Sequence, residues 1–279
     1  MLQSIGDGIQ KTLDRLCIIK GDCPECGKPL YEWKHRHPDG SIKGEYPVCM
    51  KCGYKDIRRK EDVQTEKIYT QSLNNRVLNA FKMGSIITDK SLFDKRLDQY
   101  KSTTRESEVA LTMAHEFVNR FFNGEEPHFV LSGNTGTGKS HLAMGICWEI
   151  IEKSNYQKKC LFINYRELLE QLKFSFNDEQ ARKAIQGNLM ADIKTIDLVV
   201  VDDLGAELGG GTEKGSTTYN NDTIYAILEA RQNQATIITS NLNAREISDA
   251  YGDRIVSRML SNSRGLVAKF RKTKDERVN

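Results

Sequence analysis

The sequence predicts an α/β protein with a parallel sheet, preceded by a small metal-binding module and a helical connection. Residues 128–143, "HFVLSGNTGTGKSHLA", have the order strand, glycine-rich loop and helix. The runs "LVVV" at 198–201 and "ATIIT" at 235–239 are apolar and β-branched, as in parallel strands that are covered on both faces. Two Cys-x-x-Cys pairs lie within the first 52 residues, which is typical of a metal site.

The composition is that of a globular protein with room for more than one domain. The chain has 279 residues, of which 38% are hydrophobic, enough for one large core and one small core. No run of 18 apolar residues occurs, and the N-terminal residues lack the apolar stretch of a signal peptide, so we expect a cytoplasmic protein that does not contact membranes. The net charge of +3 does not by itself indicate a nucleic-acid partner. We predict domains at 1–62, 63–105 and 106–279.

The first domain contains a pattern of thiols that predicts a structural zinc site. The predicted ligands are Cys23, Cys26, Cys49 and Cys52. Each pair is followed by a glycine, Gly27 or Gly53, which allows the tight turn that points two thiolates at one ion. The turn "PDG" at 38–40 lies between strand-like residues and predicts the hairpin of a zinc ribbon. Reduced thiols without metal, redox chemistry, or ligation by His35 or His37 are the alternatives.

The linker is polar and helical in its pattern. Apolar residues occur at helical spacing, namely Leu73, Val77, Leu78 and Phe81. We predict a connecting helix here, then a lead-in segment, and a second helix over about 106–122.

The glycine-rich loop predicts a phosphate-binding site for ATP. Gly133, Gly138, Lys139 and Ser140 fit the pattern G-x-x-x-x-G-K-[ST] between a strand and a helix. Backbone N–H groups and the helix N-terminus would bind the phosphates. Lys139 would contact the β and γ phosphates, and the Ser140 hydroxyl would bind magnesium. The residues assigned to nucleotide binding in this loop are Gly133, Asn134, Thr135, Gly136, Thr137, Gly138, Lys139, Ser140 and His141.

Polar residues follow two apolar strands and predict the catalytic side of the same site. Asp202 comes directly after the run "LVVV" and is predicted to bind the nucleotide's magnesium, with Asp203 as general base. Asn241, at the end of the next strand, is placed to hold the attacking water. Two helix-capping aspartates and an ordinary strand-end turn are the alternatives.

Two arginines lie four residues apart near the C-terminus. Arg254 and Arg258, in "YGDRIVSRML", fall on one face of a predicted helix. Such arginines are normally solvated or paired with acids, but in an oligomeric ATPase one of them can reach a neighbour's γ-phosphate.

Together these motifs resemble the replicative-helicase loaders of the DnaC/DnaI type, a branch of the AAA+ ATPases. The resemblance rests on "GNTGTGKSHLA", "LVVVDDLGAE", "TIITSNL", "YGDRIVSRM" and the four-cysteine module, and it covers nearly the whole chain. It implies an α/β AAA+ P-loop core that hydrolyses ATP with Mg²⁺, and a zinc-binding domain that docks on a hexameric helicase. It also implies self-association and single-stranded DNA binding.

The resemblance also assigns roles to single residues. It implies that Asn241 is sensor 1 and Arg258 the arginine finger, with Arg254 supporting the same nucleotide interface. Candidates for DNA contacts, because of charge or an aromatic face, are Lys173, Phe174 and Phe176. Candidates for adenine contacts are Ile86 and Ile87, and candidates for a sensor 2 residue are Arg271, Lys272 and Lys274.

The motifs lead to three hypotheses about function. The first is a helicase loader with slow, switch-like hydrolysis, because the Asp203 carboxylate is one methylene shorter than a glutamate at the position of the base. The second is a transposition helper ATPase of the IstB type, which usually lacks the four cysteines. The third is a helicase-binding adaptor with a vestigial nucleotide site.

Overall fold

The computed structural model describes residues 12–35, 46–174, 187, 189–209, 216–273 and 275. The chain divides into two compact units, Met1–Ser72 and Leu73–Asn279. The domain limits predicted at residues 62 and 105 remain predictions. Among the described residues, no helix has both the length and the apolar content needed to cross a membrane.

The first unit contains a three-stranded antiparallel sheet. Its strands are β1 (Cys17–Asp22), β2 (Pro29–Trp33) and β3 (Val48–Cys49), in the order β1-β2-β3. The predicted hairpin strands pair, with Leu30 opposite Cys49, whereas the predicted turn at 38–40 and His37 lie outside the described residues. The buried apolar cluster consists of Cys23, Leu30 and Cys49. So small a core is typical of domains that need a metal to fold.

Two long helices precede the second sheet. They are α1 (Ile57–Gly84) and α2 (Arg105–Phe122), with short 3-10 helices at Lys90–Asp94 and Leu97–Gln99 between them. Phe81 of α1 is fully buried, whereas Leu73 is exposed. Thr104 and Ser107 cap α2 reciprocally. The two helices predicted for this region are confirmed.

The second sheet has five parallel strands. They are β4 (His128–Gly133), β5 (Cys160–Asn164), β6 (Leu198–Leu204), β7 (Thr236–Ser240) and β8 (Val267–Phe270). Their order is β5-β6-β7-β4-β8. Strand β7 therefore lies between β4 and β6, and the carboxyl ends of these three strands meet at one edge.

Helices cover both faces of this sheet. They are α3 (Lys139–Lys153), α4 (Tyr165–Phe174), α5 (Thr218–Ala230), α6 (Ala244–Tyr251) and α7 (Asp253–Leu260), with further helical residues at 189–195. Consecutive residues of β6 enter different cores: Val200 packs with α2 and α3, and Val199 packs with α4 to α7. This confirms that the strand is covered on both faces, which explains its unbroken apolar run.

A buried arginine ties together the segments that lead into β6 and β7. Arg231 is fully buried. Its guanidinium donates to the carbonyl oxygens of Ile193 at 3.0 Å, Ile196 at 2.6 Å and Asp197 at 3.1 Å, and to that of Ala235. Burial lowers the pKa of Arg231 to about 10, so it stays charged at neutral pH. The sequence pattern carries no signal for this residue.

Replacing Arg231 tests this anchor. We expect Arg231→Met to lower the free energy of unfolding by roughly 3 kcal/mol or more, because several buried carbonyl groups lose their donor. Arg245→Met, at an exposed position of α6, is the matched control, with an expected change within about 0.5 kcal/mol. Urea unfolding followed by circular dichroism measures both, and equal effects of the two variants would contradict the prediction.

Candidate functional site

The predicted phosphate-binding loop joins β4 to α3 and has the backbone that such a loop requires. Gly133 and Gly138 have φ angles of 125° and 84°. A Cβ atom at Gly133 would lie 2.0 Å from the carbonyl oxygen of Phe270, and one at Gly138 would lie 2.6 Å from the Tyr100 ring. Glycine is therefore required at both positions by conformation and by space.

Lys139 points back into this loop. Its side chain is buried, and its Nζ donates to the carbonyl oxygens of Gly133 at 2.8 Å and Asn134 at 2.5 Å. These two carbonyl oxygens hold the ammonium inside the loop. A phosphate oxygen could replace either of them as the acceptor.

Asp202 lies next to Ser140, as the magnesium-site prediction requires. Its Oδ1 accepts hydrogen bonds from Ser140 Oγ at 2.8 Å and from Thr239 Oγ1 at 2.7 Å. Burial raises the pKa of the Asp202 carboxyl to about 6, against the effect of these two hydrogen bonds. The Ser140 hydroxyl and the Asp202 carboxylate are oxygen ligands of the kind that Mg²⁺ binds.

Asp203 lies in a β-bulge. Val201 pairs with Ile238 and Leu204 with Ser240, so Asp202 and Asp203 together lie opposite Thr239. Asp203 has a φ angle of 62°, in the left-handed region that few residues other than glycine adopt. The strand therefore does not end at Val201, as the sequence suggested, but continues through both aspartates to Leu204.

The structure brings Asp203 and Asn241 together. Asn241 Nδ2 donates to Asp203 Oδ1 at 2.5 Å. Sequence reasoning missed Thr239, which contacts both aspartates. A buried threonine near the carboxyl end of the strand "TIITS" was the available signal.

The lead-in segment between α1 and α2 contacts the phosphate-binding loop and the start of α3 through Tyr100 and Arg96. The residues suggested from the sequence were Ile86 and Ile87. Tyr100 OH donates to the carbonyl oxygen of Thr137 at 3.3 Å, and its ring packs edge-on against His141. His141 Nε2 lies 2.8 Å from the carbonyl oxygen of Arg96. This contact turns the ring toward the lead-in segment.

The adenine contacts suggested for Ile86 and Ile87 stay a prediction, and the structure places both residues beside β5. Ile86 pairs with the outer edge of β5, where its N–H donates to Phe162 O and its carbonyl accepts from Asn164 N–H, each at 2.8 Å. Strand β5 is three strands from β4, or about 14 Å. Ile87 packs in the core beside this edge.

The segment after β8 crosses the phosphate-binding loop. Asn134 Nδ2 donates to the carbonyl oxygens of Arg271 at 3.3 Å and Thr273 at 3.4 Å. Arg271 and Lys272 are exposed, and Lys274 lies outside the described residues. The choice of a sensor 2 residue therefore stays open.

Arg258 contacts its own chain. Its Nη2 donates to Tyr225 OH at 2.6 Å, its guanidinium lies 4.2 Å from the centre of the Tyr225 ring, and Glu229 is 3.5 Å away. Its Nε is buried without a hydrogen-bond partner among the described residues. Arg254, on the same helix, is exposed.

The candidate DNA contacts lie at the end of α4. Lys173 and Phe174 are exposed, with Phe174 86% accessible. Phe176 lies outside the described residues.

The four cysteines converge in the first unit. Their Sγ atoms all lie within 4.8 Å of one another, with Cys23 and Cys52 at 3.5 Å and Cys26 and Cys49 at 3.5 Å. The backbone N–H groups of Cys52 and Lys51 lower the pKa of the Cys49 thiol, whereas burial and the neighbouring thiols raise the pKa values of Cys26 and Cys52. His35 is exposed and outside this group.

Comparison with known proteins identifies the family. The profile described as "IstB-like ATP binding protein" matches residues 66–263. This chain belongs to that family. The "Replicative helicase loader DnaC" of Escherichia coli (strain K12) is 31% identical over 157 residues, which are 55% of this chain and 58% of that protein. The alignment thus spans little more than half of that relative's length.

Solved structures share the fold of this IstB-like chain. One is titled "Crystal structure of the DnaC helicase loader", with 21% identity and a TM-score of 0.55 over 65% of this chain and 99% of that one. Another is titled "Crystal Structure of the DnaI", with 22% identity and a TM-score of 0.52 over 68% of this chain and 96% of that one. Both share the α/β fold that the motifs indicated.

The buried Asp202 carboxyl predicts a pH-dependent gain in stability on its replacement. Its pKa of about 6 lies above the ordinary value of 3.8, so the unfolded chain loses this proton first as the pH rises. The carboxyl therefore lowers the free energy of unfolding progressively between pH 4 and 6, and by up to about 3 kcal/mol above that range. We expect Asp202→Asn to stabilise the protein at pH 7.5 and to change little at pH 4.

Urea unfolding at the two pH values, without nucleotide or magnesium, measures this difference. Asp249→Asn, at an exposed position of α6, is the control and should change stability by less than about 0.5 kcal/mol at either pH. A destabilised Asp202→Asn variant at pH 7.5 would contradict the raised pKa.

Proposed function

We propose that this chain is an ATP-dependent loader that docks on a hexameric replicative helicase and helps to place it on single-stranded DNA. One observation carries the proposal: the phosphate-binding loop, the Ser140–Asp202 pair and the Asp203–Asn241 pair meet at the carboxyl ends of β4, β6 and β7. Relatives named replicative helicase loaders support the biological assignment.

The loop residues would bind the triphosphate. Backbone N–H groups at the start of α3 and the Lys139 ammonium offer positive charge to the phosphates. Ser140 and Asp202 would hold Mg²⁺, which neutralises charge on the β and γ phosphates when bound. The chemistry of this donor set, a hydroxyl and a carboxylate, fits magnesium.

Asp203 would accept the proton of the attacking water, and Asn241 would orient that water. The Asp203 side chain is one methylene shorter than that of glutamate. We propose that the bulged backbone at Asp203 compensates for this difference and positions the carboxylate. Because Asn241 Nδ2 also holds Asp203 Oδ1, the base is restrained.

Arg258 would act on the nucleotide of a neighbouring copy, with Arg254 beside it. To do so it must exchange its contacts with Tyr225 and Glu229 for a phosphate. A partly exposed ion pair is weak in water, and the unpaired Nε gains a partner in that exchange. These features support a finger that engages only on self-association.

The four thiols would bind one zinc ion and hold the docking module together. Ile19 and Trp33 expose 57% and 43% of their surface on this small sheet. Ile19 lies opposite Tyr31, and Cys17 opposite Trp33, so these side chains share one face. An exposed aliphatic and aromatic face favours a protein partner, which we propose is the helicase.

Single-stranded DNA would contact the end of α4. Phe174 offers a ring on which a base can stack, and Lys173 offers charge to the backbone. These two residues are adjacent in the chain and both exposed.

The second candidate function is that of a transposition helper ATPase, because the family is described as IstB-like. A chain of that type would assemble with a transposase on duplex DNA. An adaptor with a vestigial nucleotide site is disfavoured by the paired Ser140 and Asp202.

Variants separate nucleotide binding from hydrolysis. We expect Lys139→Ala to weaken ATP binding by about 100-fold or more, since removing a charged partner costs about 2–5 kcal/mol. Asp203→Asn should bind ATP but hydrolyse it roughly 10²- to 10⁴-fold more slowly, whereas Asp203→Glu keeps or raises the rate. Arg258→Ala should bind ATP and lose hydrolysis in the assembled state.

Calorimetry of ATP binding and phosphate-release rates provide these measurements. Arg245→Ala, at an exposed position of the helix before Arg258, is the matched control for the finger. An unchanged rate in Asp203→Asn removes the base role, and an unchanged rate in Arg258→Ala removes the finger role.

Zinc removal tests the docking module. We expect about one equivalent of zinc by elemental analysis, a large loss in Cys49→Ser, and no loss in Cys17→Ser, a buried thiol outside the cluster. Immobilised protein should capture a hexameric replicative helicase, and Cys49→Ser should not. Capture of a transposase with duplex DNA, and not of the helicase, would favour the second candidate. Zinc well below one equivalent would contradict the metal site.

A further inference from the structure

Thr239 contacts both aspartates of the proposed ATP site with one hydroxyl. Its side chain is buried near the carboxyl end of β7. The hydroxyl oxygen accepts from the backbone N–H of Asp203 at 2.9 Å and donates to Asp202 Oδ1 at 2.7 Å. The hydroxyl is thus a bridge between two adjacent residues of β6.

The direction of this bridge is determined by chemistry. A hydroxyl has one proton, a backbone N–H can only donate, and an ionised carboxylate can only accept. The Thr239 proton must therefore point at Asp202, while its lone pair faces Asp203. Serine could form the same bridge, whereas valine has the same shape and can form neither contact.

The backbone at Asp203 depends on this hydroxyl. Asp202 and Asp203 together lie opposite Thr239, and the regular pairing of β6 with β7 is interrupted there. A buried N–H group that leaves the ladder needs another acceptor, and the Thr239 oxygen is that acceptor. It thereby holds a non-glycine residue at a φ of 62°.

Thr239 also differs from Ser140, the other hydroxyl on Asp202 Oδ1. Ser140 is itself a proposed magnesium ligand, so its hydroxyl has a second use. The partners described for the Thr239 hydroxyl are the two aspartates. Thr239 can therefore orient Asp202 independently of the metal.

We infer that Thr239 is a positioning residue for Mg-ATP: it orients the Asp202 carboxylate and maintains the bulge that presents Asp203 beside Asn241. This inference rests on the proposed ATPase function. It concerns a residue outside the phosphate-binding loop and the predicted catalytic residues.

The test compares three variants of the full chain. Thr239→Val removes the hydroxyl and Thr239→Ser keeps it. Thr236→Val is the matched control, because Thr236 is an equally buried threonine of β7 whose hydroxyl contacts Arg231 and Gln234 instead. Two quantities are measured: the Mg²⁺ concentration that gives half-maximal ATP hydrolysis, and ATP affinity in EDTA.

We expect Thr239→Val to raise the required Mg²⁺ concentration by roughly 10- to 100-fold, as when a partner of a ligating carboxylate is lost. Its ATP affinity in EDTA should match that of the wild type, since the loop is unchanged. Thr239→Ser should restore the Mg²⁺ requirement, and Thr236→Val should leave it unchanged. A wild-type Mg²⁺ requirement in Thr239→Val, or an equal rise in Thr236→Val, overturns the inference.

If Thr239→Val does not fold, the bridge can still be tested in the wild-type protein. The measurement is the rate of hydrogen exchange at the Asp203 backbone amide. We expect a protected amide, because its acceptor is buried, and exchange as fast as that of an exposed loop amide overturns the bridge. A wild type that binds no Mg-ATP would instead refute the proposed function, and the amide measurement would still decide the bridge.

Discussion

The burial of one carboxylate, Asp202, beside the partly exposed carboxylate of Asp203 is the constraint on which the larger unit depends. A charge moved out of water is costly unless hydrogen bonds compensate for the lost hydration. Here Asp202 accepts from two hydroxyls and Asp203 accepts from an amide, and the donors come from α3, from β7 and from Asn241, which directly follows β7. The strand order places β7 beside β6, so the acids meet donors from β7 and from the residue that follows it.

The smaller unit has little buried apolar surface, and four clustered thiols compensate for it. Its buried cluster is too small for hydrophobic burial to dominate, and half of its strand residues face solvent. Four thiols within 4.8 Å of one another repel as thiolates and gain stability only around a cation. The proposed metal thus takes the place of a core, and it leaves an apolar face of the sheet available for a partner.

Patterns that depend on neighbours in the chain were predictable. The Cys-x-x-Cys turns, the glycine loop before Lys139 and the helix at Arg105–Phe122 follow from local backbone chemistry, and the structure has all three. The end of β6 was misplaced by three residues, because its bulge depends on a contact with Thr239 that no local pattern contains. The position of Ile86 was unpredictable for a similar reason, since its apolar character does not indicate which strand edge it joins.

The sequence alone therefore determined the chemical groups of the site and the secondary structure that carries each of them. Only the tertiary structure decided how those groups meet: Thr239 bridges two aspartates 36 and 37 residues earlier in the chain, and Arg231 joins segments that lie 34 to 38 residues away. The physical reason is that a strand's pattern specifies its burial but not its neighbour. Neighbours are set by the packing of helices on both faces of the sheet, which is a property of the whole chain.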